Sequence, residues 1–449
     1  MSWKLFHIES LCAGSLLLGM ACCAALDAQS PLPYRLTLED AINKALAANL
    51  NGLQAKARVD EAEGTRVRRY AAALLPRVSA QAYANAQNRD LRAFGISFPG
   101  TPEVVGPFSN YDFRVYAQQN VVDLAGIHAL RASERAVDSS KLDYRNARDL
   151  IVRATASLYL FAESSAARVD AASSRLTDAE ALLKLARDRH DAGRATGVDV
   201  LRAEVELAND KQAVLIARNQ AKQSMFMLAR EMGISSATPL ELAESLHFEP
   251  VVQRQVEELS LAALAARADY LSVASQRQML VEQQRANRAR SYPRLTVSGN
   301  FGGIGRSIGT IQATGLIQGQ LDFTVFDHDR DGEAQELASR VRSIDDRIAD
   351  LRRGIEEEIR EALLNLDSSE QEVEVAIQGQ QLARRELELA QDRFEQGTAN
   401  NVEVVTAQDE LARAEENYIL AVTGHVDAKF ALARAMGDTE NSIARFEGK

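Results

Sequence analysis

A run of 66 residues without glycine or proline, Ile127 to Ala192, is the strongest constraint this chain places on its own fold. At 1.5 Å per residue it would make a helix roughly 99 Å long, far beyond the ordinary three or four turns, and no compact globule accommodates it. A second run, Glu333 to Gln396, contains no proline and only Gly354 and Gly379. Within it Leu337, Val341, Ile344, Ile348, Leu351, Ile355, Ile359, Ala362 and Leu366 alternate steps of four and three, which keeps one apolar seam turned toward a partner helix. The first run takes the same step at Ala147, Leu150, Ala154, Leu158 and Phe161, and again at Leu176, Ala179, Leu183 and Ala186. The many alanines allow close approach. Shorter helices are expected over 37–73, 198–232, 251–291 and 402–436.

Segments of a different period lie between these helices. From Gly315 to Phe326, Ile317, Leu321, Phe323 and Val325 alternate with Gln318, Gln320, Asp322 and Thr324, the two-residue period of a strand with one apolar face. Pro293 to Gly303 repeats the pattern through Leu295, Val297 and Phe301; Pro76 to Asn85 and Tyr111 to Val122 repeat it through Val78, Ala80, Ala82 and Phe113, Val115, Ala117. Each segment has about the length that a tilted strand needs to cross a bilayer, roughly 9 to 11 residues. A soluble sandwich edge is the competing reading. Four strands cannot close a membrane barrel, whose smallest single-chain form has eight, and open edges in lipid leave backbone groups unpaired. Several copies must therefore share one barrel.

Composition narrows the class further. With 63 acidic against 52 basic residues the net charge is −11, which argues against a nucleic-acid partner, since phosphates attract lysine and arginine patches. The three cysteines, Cys12, Cys22 and Cys23, and the only tryptophan, Trp3, all fall in the first 23 residues. Lys4 precedes an apolar stretch from Leu11 to Leu26 and then Ser30-Pro31, so residues 1–28 read as a secretory signal cleaved after Ala25 or Ala28, with a retained anchor as the alternative. Cys22 is a possible lipidation site.

The chain is internally duplicated. Leu185 to Leu207 aligns without gaps onto Leu389 to Leu411 with 11 identities in 23 positions at an offset of 204, and the same offset carries Asp123 onto Asp327. The expected organisation is a first repeat at 29–235 with strands at 75–85 and 111–122, a long helix at 127–192 and a helix at 198–232. A linker follows at 236–257; the second repeat, 258–437, has strands at 293–303 and 315–326 and helices at 330–396 and 402–436, and a tail covers 438–449. Gly193 and Gly397 stand where each long helix should end and reverse.

The phrases LTLEDAINKALAANL (Leu36 to Leu50), LLPRVSAQA (Leu74 to Ala82), YPRLTVSGN (Tyr292 to Asn300), QNVVDLAG, DFTVFDHDRDG and the two hairpin phrases resemble, in their order and duplication, the TolC-type outer-membrane efflux protein family. The resemblance spans about residues 36 to 437. It implies a mainly α fold with a small β part: a long coiled-coil α-helical barrel joined to transmembrane β-barrel strands that a homotrimer shares. It implies a passive outer-membrane exit duct of a tripartite efflux or type I secretion system, in which the helical barrel in the periplasm docks an adaptor (a membrane fusion protein) and an inner-membrane pump. An elongated periplasmic coiled-coil adaptor or scaffold without a pore is the alternative, and it has no use for four amphipathic strand segments.

In that family an acidic residue follows the tip glycine. Asp199 and Glu403 occupy the corresponding places, six residues beyond Gly193 and Gly397, and repeated around a ring they would form an acidic constriction at the periplasmic gate. The equal alternative is an acid favourably placed in the first turn of its helix. Ala399 and Thr406 stand where the family's best-known member has an arginine and a second acid. Val198, Val200, Val402 and Val404 beside the tips are candidates for adaptor docking or helix packing. Asp327, Asp329, Asp331 and Gly332 imitate the start of a calcium loop, but Ala338 stands where a bidentate glutamate is required. The histidines are scattered and no phosphate loop or nucleophile motif is present, so no metal, cofactor or catalytic residue is assigned.

Overall fold

The computed structural model describes residues 34–95, 99–100, 102–243, 248, 250 and 255–440. The expected signal sequence, Cys22 and most of the expected tail lie outside these, as does part of the linker. The chain runs β1 (Tyr34–Leu36), α1 (Leu38–Ala48), α2 (Leu50–Leu74), β2 (Arg77–Asp90), β3 (Val104–Val122), α3 (Leu124–Asp191), α4 (Gly197–Glu231) and β4 (Leu240–Leu242). It continues through α5 (Val256–Ala266), α6 (Ala268–Ala289), β5 (Arg294–Gly305), β6 (Gln312–Asp322), α7 (His328–Glu395) and α8 (Asn401–Met436).

α3 and α7 are each 68 residues long, about 102 Å. α3 starts three residues earlier than glycine content suggested. The Asp123 carboxylate accepts from the Gly126 amide at 2.8 Å and so caps the helix, folding back over a residue that has no Cβ to obstruct it. Asp327 caps α7 in the same way, accepting from the Arg330 amide at 3.2 Å. The first-repeat stretch expected at 37–73 is two helices divided at Asn49, which ends α1 and caps α2 through a 2.9 Å bond from the Asn51 amide. The stretch expected at 251–291 is likewise divided at Arg267.

Four strands form one antiparallel sheet in the order β2-β3-β5-β6. Registered partners lie on the same face, and the register sorts most of the side chains, with exceptions at Gln119 on the first face and Ile304 and Leu316 on the second. Val78, Ala80, Ala82, Phe113, Val115, Ala117, Leu295, Val297, Phe301, Ile317 and Leu321 share one face; Ser79, Gln81, Asn85, Arg114, Gln118, Asn120, Arg294, Thr296, Ser298, Gln318, Gln320 and Asp322 share the other. One face is apolar and the other polar, the pattern of a wall between lipid and water. β2 and β3 continue past the expected limits, pairing as far as Asp90 with Val104, where the polar Asn85, Gln87 and Arg89 had masked the strand. β6 stops short at Asp322 instead of Phe326. Its partner begins at Arg294, and Pro293 before it has no N–H to offer a longer ladder. Phe323, Val325 and Phe326 are left exposed.

The helices also form open layers. Next to the sheet, α2, α3, α6 and α7 pack in that order; toward the far end the order is α4, α3, α8, α7. Where the two arrangements meet, α1 and the parallel pair β1-β4 cover α3. Leu36, Ile42, Val152, Ala156, Tyr159, Leu228, Met232 and Phe430 form the largest core there, and the Tyr159 hydroxyl donates to the Leu36 carbonyl at 3.1 Å. This corrects the seam expected on α3 at this height. Leu150, Ala154 and Phe161 are exposed, while Ile151, Val152, Ala156, Tyr159 and Leu160 are buried. α3 packs against several helices here, so a single two-helix seam does not describe it. The α7 seam does hold at Leu337, Ile355, Ile359, Ala362 and Leu366, all buried.

Candidate functional site

The end farthest from the sheet carries two reversals. Gly193 and Gly397 adopt φ of 72° and 78°, which a side chain disfavours, and so end α3 and α7 in the left-handed conformation.

Beyond the turns, the two repeats use related residues differently. In the first, Thr196 precedes α4, and its amide and hydroxyl donate to the Asp199 carboxylate at 2.9 and 2.7 Å. These bonds, with Arg202 and Arg189 nearby, hold the Asp199 carboxyl below the usual carboxylate range. In the second, Asn400 caps α8, accepting from the Val402 and Glu403 amides at 3.0 and 3.3 Å. The Glu403 carboxylate is therefore left for Arg393, 3.3 Å away across the turn. Arg189 and Arg393 are equivalent under the 204-residue offset. The shorter Asp199 is held by Thr196, and Arg189 turns elsewhere: it donates to the Phe394 carbonyl, with its guanidinium 4.5 Å from the centre of the Phe394 ring. Asn401, fully buried, donates from Nδ2 to the Asp199 carbonyl at 3.1 Å. Arg189 and Asn401 thus tie one hairpin tip to the other.

The sequence alone singles out none of Arg189, Phe394 and Asn401. The duplication carried a signal, since Arg189 and Arg393 coincide whereas their partners differ by one methylene. The valines separate into two pairs. Val198 and Val402 are exposed. Val404 is fully buried beside Leu387, Ala390 and Phe394 and offers no docking surface, while Val200 is half-buried against Leu183, Ala186 and Ala203. Farther from the tips, arginines of α3 meet acids of α8: Arg168 with Glu416 at 2.8 Å and Arg153 with Asp427 at 2.6 Å. Arg148 likewise pairs with Glu440 just after α8. Asp327, Asp329 and Glu333 gather around Arg290 at 2.7, 3.4 and 2.7 Å. Among the described residues no group of three or more metal-ligating side chains is assembled, and no helix is long and apolar enough to cross a membrane.

A chain that pairs an amphipathic open sheet with 68-residue helices and tied hairpin tips has the parts of a membrane-spanning duct. It belongs to the outer membrane efflux protein family, whose pattern matches residues 41–233 and 259–438. It is 23% identical over 424 residues, 89% of this chain and 85% of the other, to the pyoverdine export outer membrane protein OpmQ of Pseudomonas aeruginosa. Its fold is similar to the CmeC outer membrane channel of Campylobacter jejuni, with a TM-score of 0.79, 15% identity and coverage of 90% of this chain and 86% of that one. The outer membrane protein VceC of Vibrio cholerae is similarly related, with a TM-score of 0.77, 18% identity and coverage of 89% and 96%. The protein is an outer-membrane efflux channel, a passive conduit and not an enzyme, with its strands in the outer membrane and its helices reaching into the periplasm.

Proposed function

We propose that three copies of this chain close into one duct that conducts solutes outward, fed by an inner-membrane pump through a periplasmic adaptor at the hairpin tips. The observation that carries this reading is that every layer of the protomer is open at the same two sides. β2, α2 and α4 are free at one edge; β6 and α7 are free at the other. The free edges carry matching apolar rows. Leu389, Val375 and Leu364 stand 6, 20 and 31 residues from the tip end of α7 at Glu395; Val205, Leu215 and Phe226 stand 8, 18 and 29 residues from the tip end of α4 at Gly197. All six are more than half exposed. A row on α7 of one copy meets a row on α4 of the next at the same height, a head-to-tail contact that repeats until the ring closes.

With twelve strands pooled, the apolar sheet face turns to lipid and the polar face to the lumen. The exposed Val198 and Val402 are the docking residues for the adaptor, and Asp199, Glu403, Arg189 and Asn401 form the periplasmic constriction. No cysteine follows Cys23, so engineered pairs report cleanly. Val205→Cys with Leu389→Cys should oxidise to a dimer and trimer ladder on denaturing gels. Val205→Cys with Leu364→Cys should not, because the two positions differ in height by more than twenty residues. Equal cross-linking of both pairs, or of neither, would refute the head-to-tail ring.

A further inference from the structure

Just below the sheet, a cavity of about 830 Å³ is bordered by all four helices of the upper layer and by the start of β5. Its walls are one stripe from each helix. α2 contributes Arg58, Ala62, Thr65 and Arg69, while α3 gives the small residues Gly126, Ala129, Ser133, Ala136 and Ser140. Both edge helices and both middle helices reach it, so it lies on the side toward which the whole layer turns. Arg294 belongs both to this wall and to the polar sheet face. In the trimeric duct, on which this inference rests, that side is the lumen.

The charges on the wall are unevenly committed. Arg290 pairs with Glu333, Arg340 with Glu336, and Asp123 is occupied as a helix cap. Among the described residues, Arg58, Arg69 and Arg294 have neither an ion pair nor a side-chain hydrogen bond; Glu61 is the one wall acid in the same condition, and Asp322 stands opposite Arg294 in the strand register. A second observation is independent of charge. Asn287 lines the cavity, is 3% exposed, and donates from Nδ2 to the Arg330 carbonyl at 2.9 Å, yet its Oδ1 has no partner. A buried acceptor left without a donor costs free energy comparable to a lost hydrogen bond. The wall therefore presents unpaired guanidinium groups beside a covered acceptor that lacks a donor.

We infer that this vestibule is a binding station for anionic organic solutes that also carry hydroxyl or N–H donors: Arg58, Arg69 and Arg294 hold the anionic groups and Asn287 Oδ1 accepts from a donor. Guanidinium is suited to such contacts because its donors match carboxylate and phosphate oxygens in pairs. The station sits where the helical tunnel opens into the barrel. It retains its solute loosely, as conduction requires.

The test uses the full-length protein in planar bilayers with citrate, a hydroxy-tricarboxylate, as the probe. Citrate should block the potassium chloride current, and the triple variant Arg58→Gln/Arg69→Gln/Arg294→Gln should raise the half-blocking concentration at least tenfold without altering detergent-phase size. Glu61→Gln should move it the other way, by about threefold. A conducting wild-type channel that citrate leaves unblocked, or block unaltered in both variants, overturns the station and leaves the duct standing. Absence of any conductance, in the wild type and in Arg189→Ala alike, overturns the duct as well.

Discussion

Replacing Arg189 with alanine should open the periplasmic end. Its guanidinium makes a charged hydrogen bond to the Phe394 carbonyl and lies over the ring at 4.5 Å. Hydrogen bonds to charged groups contribute ~1.5–3 kcal/mol and exposed cation–π contacts ~0.5–1 kcal/mol. At a partly exposed tip the lower ends apply, about 2 kcal/mol in all, close to a thirtyfold shift in the open-to-closed ratio of one tip. Three tips parting together would multiply that beyond ten-thousandfold. The Phe394 carbonyl also accepts from the Gly397 amide at 3.0 Å, so truncating Arg189 strands no buried group and the fold should persist. Single-channel recording reads the effect directly: long closures in the wild type, sustained conductance in Arg189→Ala, and an intermediate in Arg189→Lys, which keeps charge but loses the planar fork. Unchanged closed times in a correctly assembled Arg189→Ala protein would refute the assignment of this contact as the tie.

Asp149 should make the protein most stable on the acid side of neutral. It is buried, and burial pushes its pKa to about 6 despite the offsetting charges of Arg434 and Arg145. The folded chain therefore binds more protons than the unfolded one between about pH 4 and 6, so stability rises as pH falls through that window. Asp149→Asn should remove this slope and add up to ~3 kcal/mol at pH 7.5; a lower melting temperature at that pH would contradict it. Thr196→Ala removes the cap of α4 at a cost of about 1 kcal/mol. Hydrogen exchange should accelerate severalfold in the first turn of α4 and stay constant in that of α8; equal acceleration in both would count against the separate caps.

Much of the architecture was legible because it rests on period and punctuation. Proline-free runs almost without glycine gave the long helices, two-residue alternation gave the apolar sheet face, and the offset of 204 gave the second hairpin. The divisions at Asn49 and Arg267 were hidden, because neither residue breaks a helix by itself: Asn49 caps α2 only locally, and Arg267 makes no side-chain cap but is fixed by donating to Asp269, Glu358 and the Ala435 carbonyl. Asn49 is held by donating to Glu231 at 2.7 Å. The tip tie was hidden for a related reason. Arg189 looks like its duplicate Arg393, and only the competition between Thr196 and Arg189 for Asp199 shows which partner each takes. On α3 the expected seam failed around Leu150 because a helix touched from several directions has no single period to read.

The equal lengths of α3 and α7 have a consequence for how such a protein can change. Both tips must arrive level for Arg189 to reach Phe394, and each residue inserted in one long helix alone would raise that tip by about 1.5 Å and rotate it by about 100°. Growth or shrinkage of the span is therefore restricted to matched insertions of whole heptads in both copies, each with its counterpart in the returning helix. The two halves act as gauges cut to a common mark, and the depth of the compartment they bridge is recorded twice in one gene.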